Sequence, residues 1–184
     1  MLGDNERRAL LELARAALVA RVAGLPPPRT SAGGTLAVPS GAFVSIHRAE
    51  ALRGCLGRLD CDLPLADVVG HLAAVVADSD PRFSPVTAGE LDEIEIEISV
   101  LTPPREVTSI REIEIGRHGL IVEQGFRRGL LLPQVATQHG WGVEQFVEHA
   151  CIKAGLPTDA WRRAATLSVF EAEVFAEGAD FRRP

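Results

Sequence analysis

The segment "IEIEISVL", Ile94 to Leu101, alternates without a break: Ile94, Ile96, Ile98 and Val100 fall on one side, Glu95, Glu97 and Ser99 on the other. Period-two alternation of this kind is a strand with one buried and one polar face, the habit of antiparallel sheets rather than of parallel strands buried on both sides. Any fold for this chain must therefore supply a core against one face only. "GAFVSIH" repeats the pattern, with Val44 and Ile46 on one face and Phe43, Ser45 and His47 on the other. "RAEA" can turn the chain, so that Leu52 onward runs back beside it. A loop of four or five residues places Cys55 opposite Val44 or Ser45 respectively, and the sequence leaves both registers open.

Helical periodicity supplies the covering layer. Leu10, Ala14, Ala17, Leu18, Val22 and Leu25 recur near the 3.6 period, after Asp4 or Asn5 as cap and before Gly24 and Pro26-Pro27-Pro28. Leu65, Val68, Val69, Leu72, Val75 and Val76 form a second stripe from Pro64 to Asp78. "TSAGGTLAVPS" between the first helix and the first strand reads as a mobile connector, and Thr87 with Glu90 has capping-box spacing. "GLIVEQGFRRGLLLP" predicts a hairpin turning near Gly125, Pro133 opens a short helix to Gly140, and "WGVEQFVEHACIKAG" another ending at Gly155. "TLSVFEAEVF" predicts a last strand. This order lacks the βαβ alternation of a parallel sheet, so the expected class is α+β: a mainly antiparallel sheet flanked by helices, with room for a smaller lobe. A chain of 184 residues, 46% apolar and 24% charged, fits one domain over 1–184.

The net charge of −6 opposes general attraction to phosphate backbones. Arg117, Arg127 and Arg128 are interleaved with Glu112, Glu114 and Glu123, and 5% aromatic residues leave few stacking platforms, so nucleic-acid binding ranks as a weak alternative. No stretch approaches a membrane span, and Cys55, Cys61 and Cys151 form neither a secreted framework nor a zinc spacing. A cytoplasmic setting is expected, with no metal and no cofactor.

Six blocks in order, "PSGAFVSIHR", "LRGCLG", "DPRF", "LDEIEIEISVLTPP", "HGLIVEQGFRRGLLLPQVA" and "FVEHACIKAGLP", resemble the signature blocks of the AMMECR domain, also known as AmmeMemoRadiSam system protein A. The resemblance is strongest over 39–173. It implies an α+β protein with a main antiparallel sheet and a smaller lobe. The family's R-G-C-I-G motif stands here as Arg53, Gly54, Cys55, Leu56 and Gly57, leucine for isoleucine being a mild change. The family name implies association with a Memo-like protein and a radical S-adenosylmethionine enzyme in a modification pathway, while the reaction itself is not fixed by the fold.

Two readings of the motif follow. In the first, Cys55 is a nucleophile whose thiolate Arg53 and the glycine amides would favour, His47 or Glu97 is the base, and Arg53, Gly54, Gly57 and Gln134 contact a small-molecule or macromolecular ligand. In the second, the glycines shape a bulge, Cys55 packs, Arg53 pairs with a nearby acidic residue such as Glu97, and the motif docks a partner without chemistry. Cys151 falls on the apolar stripe of its helix and His149 off its centre, so neither joins a site.

Overall fold

The computed structural model describes residues 2–29, 33–59 and 62–178. Cys61 and Thr30–Ala32 of the expected connector lie outside these residues. The chain forms two compact units, Met1–Leu101 with Glu173–Pro184, and Thr102–Ala172.

In the first unit, α1 (Asp4–Val22) is followed by strands β1 (Ala42–Arg48) and β2 (Ala51–Arg58), helix α2 (Leu65–Val75) and strand β3 (Ile94–Leu101). Gly3, not Asp4 or Asn5, is the N-cap of α1; with no side chain to offer, it leaves Glu6 to reach back and accept the Gly3 N–H at 2.8 Å. Gly24 in the left-handed region then stops the helix as read. The strands pair antiparallel in the order β2-β1-β3. Val44 and Ile46 face the same side as Ile94, Ile96 and Ile98, all fully buried against Leu10, Ala14 and Leu18 of α1 and Leu65, Val69 and Ala73 of α2. Each such aliphatic side chain contributes roughly 1.5–3 kcal/mol by leaving water. The faces read from the alternation are those observed.

A buried ion pair ties the end of the described chain to this core. Glu177, 1% exposed, accepts from Arg15 Nε at 2.9 Å and from the Ile96 N–H at 2.9 Å, while Arg15 also donates to the carbonyls of Leu91 and Ile94.

In the second unit, β4 (Arg105–Val107) and β5 (His118–Gln124) both pair with β7 (Thr166–Ala176) within this unit, and β6 (Arg127–Leu131) pairs with β5, every pair antiparallel. β4 was not legible in sequence, its three residues following two prolines. Helices α3 (Pro133–His139) and α4 (Val143–Lys153) cover the sheet. Phe146, Val147, Ala150 and Cys151 of α4 pack with Leu120, Val122, Leu167 and Val169. Cys151 is thus a core residue, its thiol pushed up by burial. His149 stacks on Trp141, ring centroids 3.8 Å apart. No helix among the described residues is long and apolar enough to cross a membrane.

Replacing Glu177 by Ala strands the Arg15 charge and the Ile96 N–H together. We expect a loss of about 3 kcal/mol in urea unfolding, as for other broken buried pairs.

Candidate functional site

The motif strand β2 lies at the edge of the β2-β1-β3 order, and its register is set by two local irregularities. Arg48 pairs with Ala51, so the turn is only Ala49-Glu50, with φ of +47° and +67°. A two-residue turn of this kind normally uses Asn-Gly or Asp-Gly. Continued without interruption, it would set Cys55 opposite Val44. Instead the ladder slips between Ile46 and His47: His47 faces Leu52, Ile46 faces Gly54, and Arg53 is the extra, unpaired residue of a β-bulge. Cys55 therefore faces Ser45, the register that a longer loop would also have given.

The segment after α2 holds this bulge. Arg53 does not pair with Glu97; its guanidinium donates from Nε to Glu90 at 2.9 Å and from Nη1 and Nη2 to the carbonyls of Ser84 and Pro85. Both side chains of the Arg53–Glu90 pair are 15% exposed. Hydrogen bonds from Arg53 and from the Thr87 N–H hold the Glu90 carboxyl down to about 2. Thr87 and Glu90 also form the capping pair that their spacing predicts.

Asp80 and Arg82 of the "DPRF" block grip Cys55 itself. The Cys55 N–H donates to Asp80 Oδ2 at 2.9 Å, and Arg82 Nη2 donates to the Cys55 carbonyl at 3.3 Å. Arg82 returns two further bonds to Asp80, from Nε at 2.9 Å and Nη2 at 2.7 Å, and its own N–H closes an Asx turn on Asp80 Oδ1. The Asp80 side chain is 3% exposed, yet the Arg82 guanidinium holds its carboxyl well below the usual carboxylate range against the opposing effect of burial. These outward-pointing bonds place Cys55 and Ser45 at a non-hydrogen-bonded position of the ladder, where facing side chains approach most closely. Ser45 Oγ accordingly donates to Cys55 Sγ at 3.2 Å.

The two glycines fit close neighbours. A Cβ on Gly54 would stand 3.1 Å from Val76 Cγ2 and 3.2 Å from the Val76 carbonyl oxygen, and one on Gly57 would enter the Phe43 ring. Both positions are small because something already fills the space.

Beyond Ser45, β3 presents Glu97, so that Cys55, Ser45 and Glu97 form one row across three strands on the face away from the helices. His47 and Glu95 form the next row on the same face. His47, Glu50, Glu93, Glu95, Glu97 and Ala176 line a cavity of about 390 Å³; Cys55 stands outside that lining. His47 Nε2 is enclosed and meets no hydrogen-bond partner among the described residues. Glu93 pairs with Arg48 at 2.5 Å. Among the described residues no three His, Cys, Asp or Glu side chains are grouped as metal ligands. The structure thus brings Cys55, His47 and Glu97 to one face and puts Arg53 at its edge. Gln134 belongs to the second unit, exposed at the start of α3. Asp80 and Arg82 are the site residues that sequence reasoning passed over; their signal was the "DPRF" block, quoted for the family resemblance without a role for its residues.

The family model AMMECR1 matches residues 11–175. The chain belongs to the AMMECR1 family. A protein of Thermofilum pendens is 44% identical over 199 aligned positions, covering 96% of this chain and 92% of that one. Protein MJ0810 of Methanocaldococcus jannaschii is 44% identical over 146 positions, 74% and 73% of the two chains. The crystal structure of the uncharacterized protein PH0010 from Pyrococcus horikoshii is similar with a TM-score of 0.85 at 38% identity, covering 96% and 93%. The match extends over both units of the AMMECR1 chain described above.

Because Glu90 ionises more readily folded than its ordinary 4.5, the stability it contributes is complete above about pH 4.5 and is lost as the pH falls towards 2. Wild type should therefore melt higher than Glu90→Gln at pH 7, and the gap should close between pH 4.5 and 2; a gap independent of pH would refute the assignment.

Proposed function

We propose that Cys55 is a nucleophile on the acidic, helix-free face of the β2-β1-β3 sheet, in an enzyme or enzyme subunit. The observation that carries this reading is the Ser45 hydroxyl donating to Cys55 Sγ, in a cross-strand row that ends at Glu97. The Ser45 hydroxyl donates to the sulfur that would attack, and a carboxylate and an imidazole stand on the same face. In the proposed step the Cys55 proton passes by way of water to Glu97, which stands two strands away, or to His47, and the thiolate forms a bond to an electrophilic carbon of the substrate. The bond to the leaving group breaks with its electron pair, and the leaving group takes the proton back.

Arg53, Gly54 and Gly57 serve this site by fixing the backbone around Cys55, because the guanidinium of Arg53 is already bound on both edges. Arg82, with its side chain 55% exposed beside the Cys55 carbonyl, is the cation that an anionic group of the ligand would meet. Gln134, exposed at the start of α3, contacts ligand in the second unit. The place of the reaction in a modification pathway, beside a Memo-like protein and a radical S-adenosylmethionine enzyme in the cytoplasm, rests on the family resemblance.

One observation favours a rival reading: each polar member and each glycine of the motif already has a packing or pairing role, as a docking surface without chemistry would require. Site-resolved alkylation of the native protein with iodoacetamide separates the two. A nucleophilic Cys55 is modified at least about tenfold faster than Cys151, whose thiol burial disfavours. If Cys55 proves as slow as Cys151 while Cys55→Ala lowers the melting temperature, the thiol is structural and the docking reading stands.

A further inference from the structure

The β1–β2 hairpin runs against its own sequence in three places. Its two-residue turn sets Ala49 and Glu50 at φ of +47° and +67°, conformations that such turns normally give to asparagine and glycine. Arg53 is left out of the ladder as a bulge between Leu52 and Gly54. Leu52 meanwhile pairs with His47 and so lies on the polar face, where it is 40% exposed.

One rearrangement eases all three. When the extra residue moves from position 53 into the turn, the loop becomes Ala49-Glu50-Ala51, closed by Arg48 opposite Leu52. A three-residue loop of the common kind, a type I turn followed by one left-handed residue, strains Ala51 alone. Leu52 turns to the face that Arg48 shares with the buried Ile46 and Ile94, and Arg53 pairs with His47. From Gly54 onward nothing changes: Gly54 still faces Ile46, and Cys55 still faces Ser45. The stretch "LRGCL" then alternates without a break, with Leu52, Gly54 and Leu56 on the apolar face and Arg53 and Cys55 on the polar one.

A single anchor opposes the move. The Arg53 guanidinium is held outside the sheet by Glu90 at 2.9 Å and by the carbonyls of Ser84 and Pro85. The bonds of Asp80 and Arg82 to the Cys55 backbone suit both arrangements, because Cys55 keeps its place in each. Strained backbone at one end of a short strand is thus restrained by the contacts of one side chain.

We propose that this hairpin is a two-state switch: when Arg53 leaves Glu90, the bulge migrates into the turn and carries Arg53 onto the face of Cys55 and His47, where its guanidinium meets an anionic group of the ligand. Arg53 then stands two residues from Cys55 on the same side of β2, with its planar fork free for a carboxylate or phosphate. An anion on that face touches Arg53 only in the shifted register, so its binding favours that register by the difference. The ligand contact rests on the reading of this face as the site of a nucleophilic Cys55; the migration does not.

Proton NMR of the full chain reads the register directly, because facing residues at non-hydrogen-bonded ladder positions bring their Hα atoms together. Wild type should show the His47–Leu52 Hα contact, with microsecond-to-millisecond exchange at the Leu52 and Arg53 amides. In Glu90→Gln/Ala51→Gly, which frees Arg53 and suits the longer loop, a His47–Arg53 contact should replace it while the Ser45–Cys55 contact persists. Ala49→Asn/Glu50→Gly, which suits the two-residue turn, should keep the His47–Leu52 contact and lower the exchange at least about tenfold. No exchange in wild type, a His47–Leu52 contact that survives in Glu90→Gln/Ala51→Gly, or loss of both contacts there would each overturn the switch. Alkylation reads the ligand contact: the shifted register should raise the rate of Cys55 with iodoacetate relative to iodoacetamide at least about fivefold. An unchanged ratio in a shifted register would overturn the anion contact, whereas a Cys55 as slow as Cys151 with both reagents would sink the nucleophile reading and leave the migration standing.

Discussion

The Cys55 peptide is held from outside its sheet. β2 is an edge strand in its unit, and an edge strand leaves half its backbone N–H and C=O groups unpaired. At Cys55 these are taken by Asp80 and Arg82, while Arg53, one residue too many for the ladder, is held by Glu90 and two carbonyls. The stretch from Val76 to Glu90 is therefore a mould for the motif strand. It fixes which residue bulges, hence which residue Cys55 faces, hence whether its sulfur meets a hydroxyl or a valine methyl. The nearly enclosed Arg53–Glu90 pair and the buried Asp80 carboxylate suit this task, because a slipped register would leave a carboxylate unpaired with little water to solvate it.

That chain of causes explains how much of the site the sequence discloses. Strand faces follow from alternation alone, so His47, Ser45 and Glu97 are legible as neighbours on the polar side of β1 and β3. Register is different, since a single residue decides it and the signals that decide it run against local rules. Ala49 and Glu50 occupy left-handed conformations usual for glycine or asparagine, a strain of about 1–2 kcal/mol each that only the surrounding pairing sustains. The bulge at Arg53 is stabilised by residues some 30 positions downstream. Nothing within a window around "LRGCLG" encodes it, although "DPRF" and the Thr87–Glu90 cap were each visible separately.

The same distinction holds for chemistry. An arginine beside a cysteine reads in sequence as an activating cation, whereas in the fold Arg53 is committed to Glu90 and it is Arg82 that reaches the Cys55 carbonyl. The AMMECR1 match and the Pyrococcus relative fix the architecture over nearly the whole chain. The polar face of the first unit, with a cavity bearing four glutamates and a histidine beside the Cys55–Ser45–Glu97 row, is the side of its sheet turned away from α1 and α2.

Amide hydrogen exchange at Cys55 tests the mould most directly. In wild type the Cys55 N–H, bonded to a buried carboxylate rather than to a strand, should exchange slowly; in Asp80→Ala it should exchange at least about a hundredfold faster, with the amides of Ile96 and Ile98 unchanged. Equal exchange at Cys55 in both proteins would show that the Asp80–Arg82 grip does not hold the motif strand, and the account of how Cys55 is presented would be wrong.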